Sequence, residues 1–86
     1  MYLVDNKVNV DLIVPSIGER YNIFIPVNKT IGEVTVILNN TINNMTDYFP
    51  LVNNLSILDV VSNRIYESNV DVKSAGIKNG AILALI

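Results

Sequence analysis

The 86-residue chain contains no cysteine and no histidine. These two side chains carry much of the nucleophilic, acid–base and soft-metal chemistry of proteins near neutral pH, so their absence argues against an enzyme. Without cysteine there is neither a disulfide nor a zinc-finger framework, and packing or association must stabilise the fold. Without histidine, a serine nucleophile of the usual triad type is excluded. We therefore expect a binding protein that uses no cofactor.

The sequence also lacks long apolar runs and clustered positive charge. No stretch approaches the roughly 18 consecutive apolar residues of a membrane helix, and the first residues do not resemble an export signal. The six lysines and arginines are dispersed and the net charge is −2, whereas nucleic-acid binding requires a positively charged face. We expect a single cytoplasmic domain spanning residues 1–86, with no nucleic-acid partner and no direct insertion into a membrane.

The acidic residues and glycines give no candidate catalytic, cofactor-binding or metal site. The eight carboxylates are scattered along the chain and form no calcium-binding loop. Gly76 and Gly80 stand before a strand rather than between a strand and a helix, so they are interpreted as turn residues and not as a phosphate-binding loop.

The local patterns predict a β-hairpin followed by a helix. Apolar residues alternate over residues 8–14 and again over 21–27, with turn residues between them at 15–20. Thr30 and Glu33 then form a capping box, which marks a helix start. The spacing of three and four residues predicts one buried helical face, and the helix is expected to end between residues 39 and 45. That face comprises Ile31, Val34, Leu38, Ile42 and Met45.

The second half of the chain predicts shorter elements. They are an irregular segment at 43–54, a strand at 55–61, a short return strand at 64–66, a helical turn at 70–75 and a last strand at 81–86. Within the irregular segment, residues 48–51 either cap the open end of the core or present aromatic rings to a partner. The element order predicts an α+β fold of the β-grasp type, a mixed sheet of four to five strands packed on one main helix.

Two parts of the sequence resemble ubiquitin. Residues 21–25, followed by Thr30-Ile31-Gly32-Glu33-Val34, resemble its second strand and helix start. The spacing from Ile57 through Ile65-Tyr66 and Ile77 to the apolar finish at 83–86 matches its last third. Ubiquitin and the sulfur carriers of this fold extend into a Gly-Gly tail, but no glycine follows Gly80 here. Conjugation and sulfur transfer are therefore not expected unless the gene product is longer.

Among tail-less relatives, the chain is similar to the bacterial ubiquitin-like proteins of the YukD/EsaB kind, which accompany the type VII (WXG-protein) secretion system of Gram-positive bacteria. The shared features are size, the Gly-Ile-Lys-Asn-Gly segment at 76–80 and the abrupt apolar end. The resemblance implies a non-catalytic accessory or regulatory protein that docks on the secretion machinery. A related domain is fused to a membrane component in some systems, so the chain is alternatively a piece of such a component.

The resemblance also implies a protein-binding surface, since ubiquitin is recognised through an apolar patch on its sheet. Comparable positions are Val60 and Ile86, with Ile17 nearby, while Ile13 and Phe24 point opposite to their core-facing neighbours. Arg64 at a strand edge would add polar specificity. Either a partner or second copy covers these groups, or residues 1–4 or 43–54 do. The sequence leaves the oligomeric state open, a weak homodimer through a sheet edge being one option.

Overall fold

The structure, a computed structural model, describes residues 6–86. Five strands and one α-helix follow one another along the chain. They are β1 (Lys7–Val14), β2 (Glu19–Pro26), α1 (Ile31–Met45), β3 (Ile57–Asp59), β4 (Arg64–Ile65) and β5 (Ala81–Leu85), with a short 3₁₀ turn at Pro15–Ile17. The expectation that residues 1–4 cover part of the sheet lies outside the described residues.

The strands form one mixed sheet in the order β2-β1-β5-β3-β4. β1 pairs in parallel with β5, and the other neighbours are antiparallel. The buried face of α1 packs on one side of this sheet, where its side chains and those of the strands make a single core. The predicted β-grasp arrangement, with one main helix on a mixed sheet, is confirmed.

Alternation along the strands decides which side chains enter the core. On β1, Val10, Leu12 and Val14 are buried, in agreement with the alternation predicted over residues 8–14, and on β5 Leu83 and Leu85 are buried. Successive side chains of a strand point to opposite faces of the sheet. The residues between these positions therefore lie on the face turned away from α1.

The capping box predicted at the helix start is present. The Glu33 N–H donates to Thr30 Oγ1 at 3.1 Å, and the Thr30 N–H donates to Glu33 Oε1 at 2.9 Å. The backbone hydrogen bond from Thr30, followed by the one from its hydroxyl, lowers the pKa of the Glu33 carboxyl. This pair anchors a helix whose next residues are mediocre helix formers because they are β-branched.

The C-terminal end of α1 corrects one prediction. The helix ends at Met45, within the expected interval, but the Met45 side chain is 58% exposed and does not belong to the buried face. Phe49 from the following segment fills that end of the core and is only 4% exposed, while Tyr48 and Leu51 are exposed. The interpretation that residues 48–51 cap the core therefore holds for Phe49. Tyr48 faces outward, and its contact with a partner stays a prediction.

Asn39 holds this segment against the helix, a contact that sequence reasoning missed. Its side-chain Nδ2 donates to the Pro50 carbonyl at 2.9 Å, and its Oδ1 accepts from the Val52 N–H at 2.8 Å. One turn later, Asn43 Nδ2 donates to the Phe49 carbonyl at 2.7 Å. Asn39 is buried, and its amide supplies donor and acceptor to a backbone that has no strand partner there.

The strand predicted at 55–61 is shorter than expected, because the chain turns after Asp59. Asp59 Oδ1 accepts from the Val61 N–H at 3.1 Å, and Asn63 adopts a left-handed φ of 59°. The predicted helical turn at 70–75 is present as a single turn, in which the Ala75 N–H donates to the Asp71 carbonyl at 2.9 Å.

Replacing Thr30 by alanine is expected to reduce the free energy of unfolding by about 1 kcal/mol, since the first turn of α1 loses its N-cap acceptor. Thr41→Ala is the matched control, because the exposed Thr41 hydroxyl donates only to the Ile37 carbonyl within the helix. The control should be neutral or slightly stabilising, because alanine has a higher helix propensity than threonine. Urea unfolding monitored by circular dichroism measures both, and equal stability of the two variants would contradict the role of the cap.

Glu33→Gln is expected to change the pH dependence of stability. The lowered pKa means that the ionised carboxylate favours the folded state, so its contribution is present above the unfolded pKa, near 4.5, and is lost as pH falls through the lower folded pKa. The difference in unfolding free energy between wild type and Glu33→Gln should therefore shrink below pH 4.5. A difference that stays constant with pH would rule out this linkage.

Candidate protein-interaction surface

The face of the sheet turned away from α1 carries a continuous row of apolar side chains across four strands. Ile13 of β1 pairs with Ala84 of β5, Ala84 pairs with Leu58 of β3, and Leu58 pairs with Ile65 of β4. Ile65 is 56% exposed at the sheet edge, whereas Ala84, between two larger neighbours, is 4% exposed. Because alanine is smaller than its neighbours, the row has a shallow depression at Ala84.

Three further apolar residues flank this row on the same face. Ile82 and Ile86 alternate with the core-facing leucines of β5, and the Val60 N–H donates to the Ile82 carbonyl at 3.1 Å, which places Val60 beside it. Val60 and Ile86 are exposed and Ile82 is half-buried. We call the whole set the apolar strip. It comprises Ile13, Leu58, Val60, Ile65, Ile82, Ala84 and Ile86.

The other half of this face, on β1 and β2, is polar and internally bonded. The amides of Asn9 and Asn22 exchange two hydrogen bonds, of 2.9 and 3.0 Å. Asp11 accepts from Asn22 Nδ2 at 2.9 Å and from Arg20 at 2.9 Å. The Asn22 hydrogen bond, and then that of Arg20, lowers the pKa of Asp11. The opposite charges of Asp11 and Arg20 therefore neutralise each other beside the apolar strip.

The six residues predicted for the surface do not form one cluster. Ile13, Val60 and Ile86 belong to the apolar strip. Phe24 is on the same face and 66% exposed, but it pairs with Asn9, so the polar network separates it from the strip.

The other two lie elsewhere. Ile17, in the β1–β2 turn, is half-buried and packs against the core. Arg64 is exposed on the edge strand β4, next to Ile65 but with its side chain directed to the opposite side of that strand.

Sequence reasoning missed Leu58, Ile65, Ile82 and Ala84. The available signal was the period of two: once Leu83 and Leu85 are assigned to the core, Ile82, Ala84 and Ile86 must face outward. The residues of β3 and β4 required the strand pairing, which no local pattern contains. The segment 43–54 does not cover Phe24, which remains exposed among the described residues.

A second group of exposed apolar residues lies on the helix side. Val36 of α1 and Leu51 and Val52 of the segment held by Asn39 line a shallow hollow together. The hollow also exposes the amides of Asn40 and Asn53, so this surface alternates apolar and polar groups. It differs from the strip, which is apolar throughout.

The part of the chain that the structure describes, residues 6–86, shows no group of three or more acidic side chains that could hold a metal ion. Within that same range, no helix combines the length and hydropathy needed to cross a bilayer.

The sequence matches no protein-family model and no curated protein. Its structure, however, is similar to the ubiquitin of Caldiarchaeum subterraneum, with a TM-score of 0.70 and 15% identity over 93% of this chain and 91% of that one. The chain has the ubiquitin-like β-grasp fold.

Two further similar structures are a mycobacterial ubiquitin-like domain and a chain of an inner membrane complex. The EccD5 ubiquitin-like domain from Mycobacterium xenopi aligns over 95% of this chain and 97% of its own, with a TM-score of 0.70 and 8% identity. A chain of the MycP5-free ESX-5 inner membrane complex aligns with a TM-score of 0.68 and 11% identity, over 95% of this chain and 21% of that one. At these identities the similarity shows the fold alone, and the resemblance to the YukD/EsaB kind stays a prediction.

Asn22→Ala and Arg20→Met are each expected to raise the pKa of Asp11, because each removes a hydrogen bond that lowers it. An NMR titration of the Asp11 carboxyl carbon measures both shifts. An Asp11 pKa that is unchanged in Asn22→Ala would contradict the role of the amide hydrogen bond.

Proposed function

We propose that this chain is a non-catalytic accessory or regulatory protein of a type VII secretion system, acting in the cytoplasm through protein–protein contacts. The observation that carries the proposal is the apolar strip. Seven apolar side chains occupy one face of three adjacent strands and the end of a fourth, with no charged residue among them. Val60, Ile65 and Ile86 are exposed and the other four are half-buried or buried between them. A contiguous apolar surface of this kind is typical of a protein-binding site.

The boundary of the strip supports a defined interface. The polar network of Asn9, Asp11, Arg20 and Asn22 borders it on one side, and β4 ends it on the other. Interfaces commonly place an apolar centre inside a polar rim, because the centre contributes most of the binding energy. The Asp11–Arg20 pair is exposed, so we assign it to partner selection rather than to affinity.

Two observations favour secretion machinery as the partner. The sequence resembles the YukD/EsaB kind, and the fold is similar to the EccD5 ubiquitin-like domain over 97% of that domain. The 21% coverage of the ESX-5 chain keeps the alternative that this chain is one domain of a larger membrane component. In both cases the protein surface, and not a reactive group, performs the function.

A modifier or sulfur carrier is the competing class. It requires a Gly-Gly tail beyond Ile86 in the full gene product. Mass spectrometry of the protein from native cells distinguishes the classes, since a covalent adduct through the C-terminus would replace the binding proposal.

The proposed interface is tested with the type VII membrane components encoded in the same genome. Val60→Asp places a charge in the strip, and Val36→Asp places the same charge on the exposed helix surface as a matched control. Binding measured by calorimetry should weaken about tenfold or more for Val60→Asp and remain unchanged for Val36→Asp. Phe24→Asp determines whether the interface extends beyond the polar network, and circular dichroism verifies that all three variants fold.

Loss of binding with Val36→Asp alone would move the interface to α1. Unfolding of Val60→Asp would place Val60 in the core, in which case Ile65→Asp, at the exposed edge of the strip, repeats the test. If the wild-type protein binds none of the secretion components, the type VII assignment is wrong.

A further inference from the structure

The turn before β5 contains the only asparagine in the sequence that precedes a glycine, Asn79-Gly80. Both residues bond to the backbone of Asn9 on β1. The Asn9 N–H donates to Asn79 Oδ1 at 2.8 Å, and the Gly80 N–H donates to the Asn9 carbonyl at 2.8 Å. Gly80 has a φ of 89°, which favours glycine at this position. Neither residue belongs to the apolar strip.

An Asn-Gly sequence can modify itself. The backbone nitrogen of the glycine attacks the side-chain carbonyl carbon of the asparagine, a new C–N bond forms, and the amide nitrogen leaves as ammonia. Water then opens the resulting five-membered imide at one of its two carbonyls, which gives aspartate or isoaspartate. The reaction needs no partner other than water, and glycine permits it best because it has no side chain to hinder the attack.

We propose that Asn79-Gly80 is a self-modification site that the fold holds inactive through its two hydrogen bonds to Asn9. The attacking nitrogen must lose its proton and turn towards Asn79 Cγ, but its N–H is directed at the Asn9 carbonyl. The carbonyl under attack is itself held by the Asn9 N–H. Both bonds must therefore break before the ring can close.

The position of the two hydrogen bonds to Asn9 determines how often they open. They precede the first residue pair of the parallel β1–β5 ladder, Val10 with Ala81. The ends of a ladder open more often than its centre. Ring closure at Asn79 thus reports local opening between β1 and β5, and it proceeds freely in the unfolded chain.

The two products affect the fold differently. An aspartate at position 79 keeps an oxygen where Asn79 Oδ1 accepts from Asn9. An isoaspartate adds a methylene to the main chain, so the spacing between that acceptor and the Gly80 N–H changes and both bonds to Asn9 cannot form together. Because both bonds lie at the start of the β1–β5 ladder, the isoaspartate form weakens the pairing of β1 with β5 at that end, and the asparagine does not re-form because its ammonia has been lost.

The test incubates the purified protein at mildly alkaline pH, in native buffer and in urea, and follows each asparagine by peptide mapping with mass spectrometry. In urea, Asn79 should convert faster than every other asparagine. In native buffer its rate should fall by about tenfold or more, in proportion to the protection of the Gly80 amide in hydrogen exchange. Asn79→Asp is the control for charge, and it should keep a thermal midpoint near that of the wild type, whereas the isolated isoaspartate form should melt lower.

Each result decides the matter. Faster conversion of another asparagine in urea would overturn the site. Equal rates for Asn79 in native buffer and urea would overturn the protection by Asn9. An isoaspartate form as stable as Asn79→Asp would show that the turn tolerates the longer backbone, and the proposed effect on the sheet would be wrong. None of these results depends on the proposed function.

Discussion

The structure depends on the placement of β5 between β1 and β3. Leu83 and Leu85 of this strand are buried beneath α1, so their position is set by the core. A slip of one residue in a strand moves every side chain to the other face. The packing that fixes the two leucines therefore also fixes Ile82, Ala84 and Ile86 on the opposite face. In this protein, β5 contributes one side to the core and the other side to the proposed interface.

The outer face of the sheet has a polar half and an aliphatic half, which interact differently with water. Where β1 and β2 pair, Asn9, Asp11, Arg20 and Asn22 satisfy one another by hydrogen bonds. Where β5, β3 and β4 pair, the side chains are aliphatic. The polar groups of the β1–β2 hairpin need no cover, because they are solvated and paired, and Phe24 is the exposed apolar residue on this half of the face. The strip gains free energy only when something removes it from water, roughly 25 cal/mol for each Å² of apolar surface buried. This asymmetry favours a partner on one half of the face.

The sequence predicted the elements whose signals are local. The capping box of Thr30 and Glu33 involves residues three apart, and the alternation in β1 is visible in seven consecutive residues. Met45 follows the helical spacing equally well but is exposed, whereas Phe49, beyond the helix, belongs to the core. The amide of Asn39 reaches residues 11 and 13 positions away. The strip required pairing across four strands, which depends on contacts that no window of the sequence contains.

The low identity to other proteins of this fold follows from the same physics. A β-grasp fold requires apolar side chains at alternating and helical positions, but many choices of Ile, Leu and Val fill a core of the same shape. An identity of 8% is therefore compatible with a TM-score of 0.70. What distinguishes one such protein from another lies on the surfaces that the core does not constrain. In this chain, Leu83 and Leu85 hold β5 in its register. They therefore determine which residues of β5 face outward, although they do not determine which side chains stand there. If the partner changed, we would therefore expect substitutions first at Val60, Ile65 and Ile86, the exposed members of the strip, and last at the buried Ala84.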